Sequence, residues 1–267
     1  MKKVISFSSG KGGVGKTSLV ASMGVLWANE GKRVLIVDGD WGLGKMALTL
    51  GVKPQWAVHD VLGGKITLQE AIQGVSPCLS LLPSPSGVMG FEELSETHRN
   101  QLFYEIDALQ DEYDLILIDH SSGVHWGVIQ FAAAAHNHVV VTTAEPTSYM
   151  DAYAIMKILS QRFKIRNFQL VVTMSQSLAE TEKIIERFID ITQSHLDINV
   201  KELGHFSFEP KLADSLRQQK PFAVLYPEIA FTRQLAKVCK ILDKEPMERG
   251  SGLKFYYSQN INPIAAR

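Results

Sequence analysis

The stretch "FSSGKGGVGKTSLV", residues 7–20, sets four glycines and two lysines between an apolar run and a segment with helically spaced apolar residues. A packed core has no use for those residues there, but an anion does. Gly10, Gly12, Gly13 and Gly15 let the backbone curl so that successive N–H groups converge, and a helix opening at Thr17 adds its positive end at the same place. The spacing fits the phosphate-binding P-loop, with Gly10 first and Gly15, Lys16 and Thr17 last. Lys16 is then expected on the β- and γ-phosphates and the Thr17 hydroxyl on Mg²⁺. Upstream, "KKVISF" reads as a short buried strand; downstream, Leu19, Val20, Met23, Leu26 and Trp27 share a helical face. Strand, loop and helix follow in the order that a phosphate cradle needs, which a merely flexible glycine turn does not require.

Outward from the loop, β-rich runs recur at residues 4–8, 33–37, 79–82, 115–118, 138–143, 168–173 and, more weakly, 204–208. Several are apolar without alternation, as in strands covered on both faces. Helical stretches lie between them at 17–30, 91–110, 148–163, 178–193 and 229–242. This alternation predicts an α/β fold: a single P-loop NTPase domain with a mostly parallel twisted sheet and helices on both faces. The 267 residues, 45% of them hydrophobic, suffice for one substantial core, and no linker interrupts them before about residue 243. The expected division is a domain over residues 1–243 and a polar, Pro/Gly-punctuated tail over 244–267 with an aromatic patch at Phe255, Tyr256 and Tyr257.

A net charge of −1 provides no general attraction for nucleic acid, and none is expected as a direct partner. Two widely separated cysteines, Cys78 and Cys239, form no zinc or redox spacing, which suits a reduced, cytoplasmic protein. The apolar run after Met1 is too short for a signal peptide, and no stretch reaches the about eighteen apolar residues of a membrane span. His120, His125, His136 and His138 cluster without a metal-binding spacing and are expected to be solvated or in switch segments.

In parallel sheets ligands gather at the carboxyl ends of strands. There the sequence places Asp38 and Asp40 in "DGDWGLGK", Asp119 in "DHSSG" and the block "EPTSYMDAY". Such acids also serve as turns and helix caps, but Asp119 after four apolar residues occupies the expected second Mg²⁺ position of a P-loop protein.

The additional lysine after Gly10 narrows the reading. "KGGVGKT" resembles the deviant Walker A motif of the MinD/ParA family, whose members sandwich ATP between two subunits. The resemblance implies that Lys11 reaches the nucleotide of a second copy while Lys16 serves its own. Asp40 would orient the attacking water from switch I, with Lys11, Lys16 and Asp40 forming the catalytic set. Gly10, Lys11, Gly12, Gly13, Val14, Gly15, Lys16, Thr17 and Ser18 would hold the nucleotide. Thr17, Asp119 and, as outer support, Asp38 would hold Mg²⁺. "DGDWGLGK", "AEPTSYMDAYAIMKIL" and "LRQQKPFAVLYP" are similar to the corresponding stretches of the FlhG/FleN subfamily, regulators of flagellar number and placement.

Departures from the family pattern touch the base and the second acidic strand. His120, Ser121, Ser122 and Gly123 follow Asp119 where relatives carry Thr and small residues; Thr173 then Met174 stand where relatives read adenine with Asn; the later base loop reads Ser207, Glu209 and Pro210. A Thr hydroxyl offers less than an amide, so adenine discrimination is expected to weaken.

The resemblance implies a slow, Mg²⁺-dependent ATPase that forms a homodimer with ATP. Implied partners are a flagellar signal-recognition-type GTPase (FlhF-like), flagellar switch-ring proteins or a AAA+ flagellar transcription activator. The helix in "TSYMDAYAIMK" and the segment from Trp41 to Lys45 are candidate interface elements, although Tyr153, Ile155, Met156 and Leu159 read rather as core. Relatives often end in a membrane-targeting helix; this tail lacks its basic amphipathic repeat, so reversible membrane contact stands beside packing onto the domain or ordering on binding. Other readings are a DNA-partitioning ATPase, for which the basic "QRFKIRN" is thin support, an iron–sulfur carrier, which lacks its cysteine pair, and a binding-only scaffold, which the retained Lys11, Asp40 and Asp119 disfavour.

Overall fold

The computed structural model describes residues 3–41, 44–84 and 94–247. Eight strands form one sheet: β1 (Lys3–Ser9), β2 (Val34–Gly39), β3 (Gln73–Ser76), β4 (Leu79–Leu82), β5 (Leu115–Ser122), β6 (Asn137–Thr143), β7 (Asn167–Ser175) and β8 (Asn199–Ser207). Their order is β3-β4-β2-β5-β1-β6-β7-β8, and every pairing is parallel except the antiparallel edge β3–β4. The expected single α/β domain with a mostly parallel sheet is therefore present.

The helices are α1 (Lys16–Asn29), α2 (Lys45–Leu50), α3 (Val58–Leu62), α4 (Leu68–Ala71), α5 (Glu96–Ala108), α6 (Trp126–Ala133), α7 (Pro146–Phe163), α8 (Leu178–Leu196), α9 (Lys211–Arg217), α10 (Phe222–Leu225) and α11 (Ala230–Lys244). Alternate residues of each central strand feed opposite faces. Ile5, Phe7, Ile36 and Leu117 pack with Leu19, Val20, Met23 and Trp27 of α1 and with Leu235, Val238 and Leu242 of α11. Val4, Leu35, Ile116 and Ile118 pack with Leu102, Phe103 and Ile106 of α5 and Phe131 of α6. Ile155, Met156 and Leu159 of α7 join Ile185 and Phe188 of α8 on the same side over Val140 and Leu170. These three α7 residues are core as expected, whereas Tyr153 is half-buried at the margin.

The two ends of the sheet are ordered by different local devices. Pro146 opens α7 in a conformation that suits its fixed φ, so the block "EPTS" starts a helix directly at the end of β6. At the opposite end of the sheet, Lys3 Nζ donates to the carbonyls of Leu242 (2.6 Å), Asp243 (3.2 Å) and Glu245 (2.8 Å), fixing the C-terminal end of α11 to the start of β1. The aromatic patch at residues 255–257, residues 42–43 of the candidate interface segment and residues 91–93 of the helical stretch expected over 91–110 lie outside the described residues.

Candidate functional site

The loop between β1 and α1 needs its glycines for two separate reasons. Gly15, which precedes α1, has φ 84°, in the left-handed region where a side chain is strained. A Cβ on Gly10 would lie 2.1 Å from Cβ of Asp151, so only a glycine lets the loop pass the first turns of α7. No side chain caps the start of α1, which leaves its first N–H groups directed at the loop.

Lys16, Thr17 and Asp119 meet there. Lys16 Nζ donates to Oδ1 of Asp119 at 2.6 Å and to the carbonyl of His120, while Thr17 Oγ1 donates to Oδ2 of Asp119 at 2.7 Å. Lys16 and Asp119 are both buried. Asp38 lies directly across from Asp119 on the adjacent parallel strand. Burial first, and the neighbouring Asp119 charge second, push the Asp38 carboxyl up to about 7, against the pull of two backbone donors. Those donors are the N–H groups of Asp40 at 3.0 Å and Met46 at 3.3 Å, so Asp38 braces the segment that leads into α2. Asp40 itself faces a 440 Å³ cavity shared with Gly12, Lys16, Thr17 and Ser122, and lies 3.5 Å from Lys45 Nζ.

Lys11 is placed differently from Lys16. It is exposed at the mouth of the loop and pairs with Glu145, the residue before α7. A smaller cavity of 230 Å³ shares Gly13, Val14, Gly15 and Ser18 with the first and extends over the ends of β7 and β8. Thr173, Ser207, Glu209 and Pro210 line it. The Thr173 hydroxyl, however, lies 2.8 Å from the carbonyl of Val14 and 3.1 Å from that of Thr142, and so its proton is used within the protein to tie the loop to the sheet.

The donor set fits a metal-bound polyphosphate: a lysine, uncapped N–H groups, and a hydroxyl and carboxylate already within hydrogen-bond distance of each other. Lys45, Glu145 and Asp151 complete the surroundings; the sequence singles out the stretches that hold them but not their contacts with Asp40, Lys11 and Gly10, which only the fold brings about. The histidines depart from the expectation of solvation: His120 and His138 are buried and His136 is half-buried, with only His125 exposed. Burial keeps all three enclosed rings neutral, holding His136 and His138 down at about 4. His136 Nδ1 accepts the N–H of Val4 at 3.1 Å. Among the described residues no group of His, Cys, Asp and Glu is arranged to hold a metal by itself, and Cys78 and Cys239 are both free thiols.

A parallel sheet with a lysine-bearing glycine loop before its first helix, an acid at the end of the neighbouring strand and a second lysine at the mouth defines a P-loop ATPase of the MinD/ParA type. The model of the AAA domain family matches residues 2–172, and the chain belongs to that family. It is 26% identical to the antiactivator FleN of Pseudomonas aeruginosa over 92% of this chain and 88% of that one. It is 27% identical to the flagellum site-determining protein YlxH of Helicobacter pylori over 96% and 89% of the two chains. Among solved structures, the MinC:MinD cell division protein complex of Aquifex aeolicus superposes with a TM-score of 0.76 at 28% identity, over 92% of this chain and 99% of that one. No helix among the described residues is long and apolar enough to cross a membrane.

Proposed function

We propose that this chain is an ATP-binding, slowly hydrolysing switch that dimerises on ATP and regulates flagellar number or placement. The observation that carries the reading is the cluster of Lys16, Thr17 and Asp119 with Lys11 exposed beside it, in a chain similar to FleN and YlxH over nearly its whole length.

The N–H groups of residues 13–17 and Lys16 bind the phosphates, for which Lys16 turns from Asp119 toward the nucleotide. Thr17 and Asp119 hold Mg²⁺, which when bound offsets phosphate charge and aligns the β- and γ-phosphates. Asp38 stays with the backbone of residues 40 and 46 and keeps Asp40 over the same cavity, where Asp40 orients water for in-line attack. Lys11 leaves Glu145 to reach the nucleotide of a second copy, so the ATP form and the dimer report on each other. The γ-phosphate orders the segment after β2 and its loss releases it. Residues 1–243 act as the switch domain and 244–267 as a tail for a partner or a membrane surface. The partners proposed for the dimer are an FlhF-like GTPase, switch-ring proteins or a AAA+ flagellar transcription activator, with action in the cytoplasm or at the inner face of the membrane.

Sedimentation of Asp40→Ala with Mg²⁺–ATP and with Mg²⁺–ADP tests the switch. A dimer with ATP alone is expected; a monomer in both, with nucleotide bound, removes it. Counting flagella in cells whose chromosomal copy carries Lys16→Gln tests the output, for which an unchanged number and position is the contrary result.

A further inference from the structure

Phosphates held on the loop would direct the base over the ends of β7 and β8, into the 230 Å³ cavity. Few side chains there can read the hydrogen-bonding edge of a base. Thr173 is buried and its proton is used on main-chain carbonyls. Glu209 Oε1 accepts the N–H of Lys211 at 3.1 Å, which holds an acceptor-only carboxylate at the rim. The amines of adenine and guanine sit at different ring positions, so this carboxylate can accept from either only as the base turns in the cavity, and by itself it does not require adenine.

Apolar contact, by contrast, is provided at some conformational cost. Met174 follows Thr173 with φ 57°, a left-handed conformation that a side chain rarely adopts, and lines the cavity while 39% exposed. Phe208, at the end of the neighbouring strand, lines the same cavity and is 64% exposed. A single exposed Phe is ordinary on a surface. An exposed Phe and a strained Met converging on one cavity beside the phosphate loop are a surface prepared for a flat ring, because every base has a face to stack whatever its edge.

We infer that this is a purine-stacking site that does not separate adenine from guanine, with Phe208 carrying the affinity for the base and Met174 adding the second apolar contact. The inference rests on the reading of the loop as a nucleoside triphosphate site. It makes Phe208 a specificity-determining residue and GTP a competent ligand alongside ATP.

Calorimetric titration of the full chain with ADP, GDP, UDP and inorganic pyrophosphate, each with Mg²⁺, tests it. ADP and GDP are expected to bind within about threefold of each other, and UDP, with a smaller ring and no amino group, about tenfold or more weaker. Phe208→Ala is expected to weaken ADP and GDP alike by about tenfold, with Phe208→Trp restoring both. The exposure of the side chain keeps the fold intact, which circular dichroism checks. GDP weaker than ADP by about fiftyfold or more, equal binding by Phe208→Ala, or nucleotides no tighter than pyrophosphate overturns the stacking site alone. Failure of all four ligands to bind overturns it together with the triphosphate reading.

Discussion

Lys16 Nζ lies 2.6 Å from Oδ1 of Asp119, a buried ion pair that joins the phosphate loop to the strand beside it. Coulombic attraction inside the fold is large, but so is the cost of drying both charges, and the pair is therefore more telling when broken than when intact. Lys16→Ala leaves Asp119 with the Thr17 hydroxyl and is expected to lower stability to urea by about 3–5 kcal/mol while abolishing nucleotide binding. The double variant Lys16→Met, Asp119→Asn is expected to recover much of the stability and none of the binding. Equal stability of Lys16→Ala and the parent chain would show that the pair does not stay together in solution.

Gly10→Ala brings a methyl group to 2.1 Å from Cβ of Asp151 and 3.0 Å from its Cα, so the loop or α7 must move. Overpacking of this kind costs about 1–3 kcal/mol. Gly12→Ala has more room, with Ser122 Oγ at 3.3 Å as its nearest neighbour, and serves as the comparison. Thermal unfolding should rank Gly10→Ala clearly below Gly12→Ala, and the reverse order would place α7 farther from the loop.

Two sets of buried groups give stability opposite slopes with pH. His136 and His138 titrate at about 4 when folded against an ordinary value of 6.5. The unfolded chain thus takes up protons first, and stability that is complete above about 6.5 is lost as pH falls toward 4. Asp38 is raised from 3.8 to about 7, so its share is greatest in acid and is lost as pH rises through that interval. In denaturation midpoints from pH 4 to 8, His138→Gln should flatten the acid side. Asp38→Asn should gain on the parent chain as pH rises toward 8; parallel profiles would refute the corresponding burial.

Thr173→Val removes the hydroxyl that ties Val14 to the sheet. A lost hydrogen bond to a buried carbonyl costs about 1–2 kcal/mol. The loosened loop should also bind Mg²⁺–ADP several-fold more weakly in the same calorimetric titration, without altering the ratio of ADP to GDP. A changed ratio would mean that Thr173 contacts the base after all.

The parallel core and the phosphate loop were legible because both write themselves locally, in unbroken apolar runs and in glycine spacing. What escaped did so for physical reasons. β3 is a four-residue edge strand, Gln73–Ser76, half open to solvent, and lacks the apolar run that marks its neighbours. β8 begins at Asn199 rather than 204; Lys201 and Glu202 interrupt the apolar run, and this edge strand carries them on opposite faces, Lys201 paired with Glu245 and Glu202 with His205. α2, α3 and α4 span six, five and four residues, too short to show a helical period. α1, expected to present one apolar face, is buried nearly all round because α2, α10 and α11 cover it. The partners of Lys11 and Asp40 lie on other elements or across a turn, and no local pattern announces an ion pair such as Lys11–Glu145.

The anchoring of α11 by Lys3 sets where the remaining chain departs. β1 runs seven residues, about 23 Å, from Lys3 to the edge of the phosphate loop, and Glu245 is held at its far end. The chain at Glu245 therefore lies at the end of the sheet away from the phosphate loop. Dimerisation on nucleotide, as proposed above, would set how many copies of the tail are held side by side. Pairing two chains would make two weak tails act at high effective concentration on a common surface, so that affinity for that surface would be counted in tails rather than in contacts.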